Sequence, residues 1–96
     1  MKYAPLDNYI NGSPVASASS PIQVTSPVNG EVLSSVPIST PEDLQAAVSA
    51  AKTAFPTWAS LTLRQRCEIF YSYRNLLQDN LEELALLCHE ENGKTI

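Results

Sequence analysis

Five apolar residues stand in a row at Leu84-Ala85-Leu86-Leu87-Cys88, inside a segment whose flanking residues mark it as a helix. Such a run covers more than half of a helix perimeter, and a helix that is apolar all round is buried all round. Ile69-Phe70-Tyr71 poses the same problem one helix earlier. The chain has 96 residues, and a chain of that size buries only about 60–65% of the surface its unfolded form exposes. Two short hairpins and one further helix can cover one side of such elements and no more. The expectation is that something else covers the rest, either a partner chain or more of the same chain, and that these 96 residues are the amino-terminal piece of something longer.

A composition shift divides the chain. Residues 1–40 hold five of the seven prolines, eight serines and only three charged residues, whereas residues 41–96 hold most of the charge and five of the seven aromatics. All three glycines follow asparagine. Asn11-Gly12 sits between "NYI" and "SPV", a short-hairpin signal because both residues tolerate positive φ. In "SPVNGEVLSSV", Pro27 pre-sets a turn and Gly30 releases the chain into a new strand. The spacing predicts four short strands, at about 8–11, 14–16, 22–26 and 31–37. The last two pair antiparallel, with Val32 and Val36 on one face and Leu33 on the other.

Three helices follow, at about 41–55, 63–78 and 81–92. Thr40 is a good N-cap, Pro41 suits the first helical position, and Asp43 closes a capping box. Leu44, Ala47, Val48, Ala51 and Phe55 form an apolar stripe at helical spacing. Pro56 disfavours helical geometry at Phe55 and is expected to end the first helix. Thr62 with Gln65, and Asn80 with Glu83, repeat the capping-box pattern for the second and third helices. The fold class expected is α+β: short strands and hairpins over residues 1–40, then a three-helix segment over 41–96.

The chain ends "EENGKTI", and Gly-Lys-Thr is how a P-loop ends. A P-loop needs Gly-x-x-x-x-Gly-Lys-Ser/Thr after a strand. The first glycine would fall at position 88, which is Cys88. The stronger reading makes Gly93 the left-handed residue that closes the third helix, with Lys94 near the negative end of its dipole. A net charge of −4 with scattered basic residues argues against a nucleic-acid partner. No apolar run approaches a membrane span, and the first residues lack the apolar core of a secretory signal. Two cysteines are too few for a disulfide scaffold, so a reducing, cytoplasmic setting is expected.

Several ordered features carry a resemblance. They are the Asn11-Gly12 hairpin, then Pro27-x-x-Gly30-Glu31-Val32, then Val36-Pro37 before an acidic helix start. Ala50-Ala51-Lys52-x-Ala54-Phe55-x-x-Trp58 follows, then Arg66 opening the next helix, and Glu91-x-Gly93-Lys94 at the end. Over about residues 8–96 the chain resembles the N-terminal segment of the NAD(P)-dependent aldehyde dehydrogenase superfamily. Tyr73-Arg74-x-Leu76-Leu77 and Gly93-Lys94-Thr95 lean towards its CoA-acylating, methylmalonate-semialdehyde branch. The resemblance implies an α/β enzyme that oxidises an aldehyde or semialdehyde to an acid or acyl-CoA with NAD or NADP. These residues would then be one incomplete part of its cofactor-binding domain. The family's catalytic cysteine, general-base glutamate, oxyanion-holding asparagine and cofactor contacts lie downstream of residue 96. No catalytic, cofactor-binding or metal-binding residue is therefore expected here, and the partners expected are the remainder of the same chain or further copies of it. The rival reading is a small non-catalytic interaction module or pseudo-subunit.

The individual candidates agree with that expectation. Cys67 lies within a helix and Cys88 at a helix C-terminal turn, where the dipole disfavours a thiolate, so both read as buried structural thiols. His89 neighbours Cys88, but adjacent helical residues do not face each other, and one His with two Cys does not close a zinc site. Glu82-Glu83 read as dipole compensation and Glu90-Glu91 as a solvated face. Arg64 and Arg66 read as a polar rim on the second helix. Val24 and Thr25 match a position where some family members hold a cation through backbone oxygen, with no side-chain support.

Overall fold

The computed structural model describes residues 1–96. Two antiparallel strand pairs precede three helices: β1 (Asn8–Ile10) with β2 (Ser13–Val15), and β3 (Pro21–Thr25) with β4 (Val32–Pro37), then α1 (Pro41–Ser60), α2 (Leu63–Asp79) and α3 (Leu81–Asn92). The first hairpin turns on Asn11 and Gly12, at φ +52° and +78°, the paired positive φ of a two-residue turn. The second turn is closed by Ser26, whose backbone NH donates to Glu31 O (2.8 Å) and whose hydroxyl accepts from the Val28 NH (3.2 Å).

A bulge alters the second pair. Thr25 pairs with Val32 and Val24 with Ser34, so Leu33 opposes no residue of β3. The extra residue reverses the alternation of side chains across it. Val32 and Val36 therefore end on opposite faces, not on the shared face expected, and Leu33 becomes the one buried apolar side chain of the chain, at 3% exposure.

The first segment of the chain supplies a further layer. The Lys2 and Tyr3 amides donate to Val32 O (3.1 Å) and Leu33 O (2.7 Å), and the Leu6 amide donates to Ser35 O (2.9 Å). Residues 2–6 thus run alongside β4, opposite β3. The Ser34 hydroxyl ties down the strap's middle by donating to Ala4 O (2.7 Å).

The helix starts at α1 and α2 are as expected. Thr40–Asp43 and Thr62–Gln65 both make reciprocal capping boxes. Thr40→Ala removes the hydroxyl that accepts from the Asp43 amide and is expected to lower stability by about 1 kcal/mol, read from the midpoint of thermal denaturation. Two boundaries differ from expectation. Helix α1 continues through Pro56 to Ser60: proline removes one donor from the helical ladder but does not forbid continuation. The extra turn carries Trp58, whose ring meets Phe70 of α2 edge-on, with centroids 6.2 Å apart. At α3, Asn80 makes no side-chain cap. Its side-chain NH2 instead donates to Leu76 O (2.8 Å) and closes α2. Only one residue separates the two helices, so Asn80 ends one and cannot also cap the other.

No residue of α1 or α2 is buried. The stripe of Leu44, Val48 and Phe55 is exposed, as are Ile69, Phe70, Leu76 and Leu86. The excess apolar perimeter legible in the sequence remains uncovered by these 96 residues.

Candidate functional site

Three places combine polar and apolar groups in a defined geometry. The first is a shallow groove between the β1–β2 hairpin and α1. Tyr9 and Ile10 form one wall, and Leu44 and Ala47 the other, with Ala50, Ala51 and Ala54 continuing it along the helix. Each half encloses about 220 Å³. Asn8 and Ser39 lock its end by mutual side-chain hydrogen bonds of 2.9 and 3.0 Å. Asp43 is also there, but its carboxylate is engaged: it accepts from the Ser17 hydroxyl (2.6 Å) and the Thr40 amide (2.8 Å). Those donors, Ser17 first, hold its pKa below the ordinary 3.8. A carboxylate occupied in this way caps a helix and is not a free acid or base.

The second is the α1–α2 corner, where Trp58, Leu63, Cys67 and Phe70 line a recess of about 260 Å³ with Arg66. Arg66 is half-buried and its Nε has no hydrogen-bond partner. It is thus not simply the polar rim expected. Arg64 does fit that reading: it is exposed and lies 3.6 Å from Glu68, one helical turn on, a pair contributing roughly 0.3–0.5 kcal/mol.

The third is the end of α3. Gly93 takes φ +72° and its amide donates to His89 O (2.8 Å), the left-handed closure expected. His89 Nδ1 lies against the Lys94 carbonyl. A Cβ on Gly93 would sit 3.5 Å from Pro27 Cγ, an ordinary contact, so the cost of Gly93→Ala is conformational. It is expected to be about 1–2 kcal/mol, measured by urea denaturation.

Glu90 departs from expectation. It is buried at 8% exposure, not part of a solvated face. It pairs with Lys2 Nζ and accepts from the Tyr3 hydroxyl (2.7 Å). The Lys2 and then the Tyr3 hydrogen bonds hold its carboxyl below the ordinary 4.5, while the same bonds raise Lys2 and Tyr3. A lowered carboxylate adds stability above its unfolded value and loses it as pH falls through the folded one. A raised Lys or Tyr adds stability below its unfolded value and loses it as pH rises through the folded one. The cluster is accordingly intact from just above the ordinary glutamate range up to the alkaline range of Tyr and Lys. Hydrogen exchange through an acid titration should show the strap over residues 2–6 loosening below that window, before the α1 amides, with Trp58 fluorescence reporting the α1–α2 corner separately. No local signal marks Glu90 in the sequence, because its partners lie 87 and 88 residues away.

The remaining candidates do not converge. Cys67 is half-buried on α2 and Cys88 is exposed on α3, so the buried thiols expected are not found within these residues. Both sit on helix faces that the chain leaves open. No three His, Cys, Asp or Glu side chains are grouped to hold a metal ion. Val24 and Thr25 lie in the β3–β4 ladder. Glu82 and Glu83 stand exposed on the first turn of α3, beside Asp79, in an acidic recess. The hairpin–α1 groove and the α1–α2 recess are lined mainly by apolar side chains. None presents a nucleophile with a base, and none lines up amides for a phosphate.

This arrangement recurs in known proteins. A family model described as "Aldehyde dehydrogenase family" matches residues 15–96. Malonate-semialdehyde dehydrogenase 1 of Geobacillus kaustophilus (strain HTA426) is 49% identical over 90 residues, covering 93% of this chain and 18% of its own length. Its counterpart in Geobacillus thermodenitrificans (strain NG80-2) is 50% identical over 91 residues, covering 94% and 19%. A crystal structure of a Sinorhizobium meliloti 1021 protein, provisionally assigned as a methylmalonate-semialdehyde dehydrogenase and complexed with NAD, superimposes with a TM-score of 0.85 at 37% identity. It covers 95% of this chain and 18% of its own. The chain thus spans about a fifth of the length of the relatives it matches.

Proposed function

Because this chain belongs to the aldehyde dehydrogenase family, we propose that it is the amino-terminal part of an NAD-dependent oxidoreductase acting on a malonate- or methylmalonate-type semialdehyde. In this reading a catalytic cysteine, supplied by residues beyond these 96, attacks the aldehyde carbon. A dinucleotide held by that larger body would supply the hydride acceptor, and CoA or water would take the acyl group. The residues present do not fit the dinucleotide. Gly93 closes a helix rather than opening a phosphate loop, and the recess at Asp79, Glu82 and Glu83 would repel a pyrophosphate. No step of the reaction is therefore routed through them. Their part is structural: two hairpins and three helices form one wall of a larger body.

The observation that carries this reading is the open apolar face of α1, α2 and α3, with Leu44, Phe55, Ile69 and Phe70 each more than half exposed. The relatives are about five times longer than the stretch this chain matches, and in this reading the rest of such a chain covers that face. The test compares the 96-residue chain with the full natural polypeptide that carries it. The full polypeptide is expected to reduce NAD in the presence of malonate semialdehyde, and CoA dependence of the acyl product decides the acceptor. The 96-residue chain is expected to give no turnover and no calorimetric NAD binding. Turnover by the short chain, or a full polypeptide inert towards semialdehydes, would overturn the reading. The second of those outcomes would favour the pseudo-subunit alternative.

A further inference from the structure

The strap over residues 1–6 is held unlike any other element of the chain. Its bonds are polar: three backbone amides to β4, the Ser34 hydroxyl to Ala4 O, and Lys2 and Tyr3 to Glu90. Its apolar side chains contribute little, for Met1 and Leu6 are 65% and 58% exposed. Segments with few buried apolar contacts and exposed backbone hydrogen bonds are those that open locally at low free-energy cost. The strap nevertheless covers two sensitive places. One is the outer edge of β4, where the bulge presents two successive carbonyls, Val32 and Leu33, to the same neighbour. A free edge of that kind is a template for another strand. The other is the last full turn of α3, where Glu90 is the one buried charged residue of the chain.

We propose that residues 1–6 form a releasable latch, which covers the β4 edge and, through Lys2 and Tyr3 on Glu90, fixes the end of α3 against the sheet. Glu90 is the clasp. Of its two partners, Lys2 supplies charge and Tyr3 supplies direction. The other ionisable groups around the clasp are His89 on α3 and Glu31, which faces Lys2 from the β3–β4 turn. Next to the clasp, Gly93 faces Pro27, near enough that an added Cβ would lie 3.5 Å from Pro27 Cγ. The latch is made of contacts within these 96 residues, and only the use of the full natural polypeptide in its test rests on the reading above.

The experiment is hydrogen exchange on the full natural polypeptide, comparing the wild type with Glu90→Gln, Tyr3→Phe and the double variant. In the wild type the Tyr3 and Leu6 amides are expected to be protected. The double variant should raise their exchange by about tenfold or more and leave the α1 amides unchanged. Each single variant should give a smaller rise, because Tyr3→Phe leaves Lys2 on the carboxylate and Glu90→Gln leaves a neutral acceptor for the Tyr3 hydroxyl. Unprotected strap amides in the wild type would overturn the latch, as would a double variant that leaves them protected. Loss of protection throughout α1 would also overturn it, by showing the strap to be part of the core. Deleting residues 1–6 supplies an independent readout: the β3–β4 pair should stay folded, and its exposed edge should promote strand-mediated association.

Discussion

Purified by itself, the 96-residue chain is expected to self-associate and to bind a hydrophobic dye strongly. Its accessible surface is 7658 Å², whereas a compact chain of this mass exposes about 5,400 Å². Its radius of gyration is 16.9 Å, against about 12.5 Å for a compact domain of this length. The excess of roughly 2,200 Å² is the scale of a large, obligate interface. Much of it is apolar and concentrated on α1–α3, and exposed patches of that size drive association. Sedimentation velocity over a concentration series is the measurement, and a monodisperse, dye-negative monomer would sink the argument. A change of sign makes the test sharper. Replacing Ile69, Phe70 and Leu77 by Gln should reduce association of the isolated chain, where all three are exposed. In the full natural polypeptide, where the proposed body covers them, each replacement should instead cost about 2–3 kcal/mol of stability.

The second large effect belongs to Leu33. It is the only apolar side chain buried by these residues alone, at the bulge of β4. Leu33→Ala removes most of that side chain from a site backed by backbone on both edges, which cannot collapse easily. The expected loss is about 2–5 kcal/mol, a large part of the roughly 5–15 kcal/mol that holds a typical domain together. Urea denaturation of the full natural polypeptide reads it. Leu76→Ala is the control within the 96-residue chain, where Leu76 is 61% exposed and the loss should be small. Equal losses for the two in the short chain would mean that Leu33 is not its core.

Much of the architecture could be read along the chain. Asn11-Gly12, Thr40 with Asp43, Thr62 with Gln65, and Gly93 all act through bonds between residues at most five apart, so their consequences are written in short stretches. The surplus apolar perimeter was legible for the same reason, since helical period and residue type suffice to count it. Departures came where two signals competed for one residue or where a partner was distant. Asn80 serves the helix that ends there and not the one that begins. Pro56 is carried inside α1. The bulge at Leu33 reverses the side-chain parity that simple alternation implied.

The sequence by itself determined the element order, the N-caps of α1 and α2, the left-handed close of α3, the two turns and the surplus apolar perimeter of α2 and α3, because each depends on local conformational preference or on side-chain periodicity. Only the tertiary structure decided that residues 2–6 lie along β4 and that Glu90 is drawn from solvent into a clasp with Lys2 and Tyr3. Pairings across nearly the whole chain leave no trace in composition or spacing. They exist because folding brings an unsatisfied strand edge and a helix end to the same place, and the nearest polar groups satisfy both.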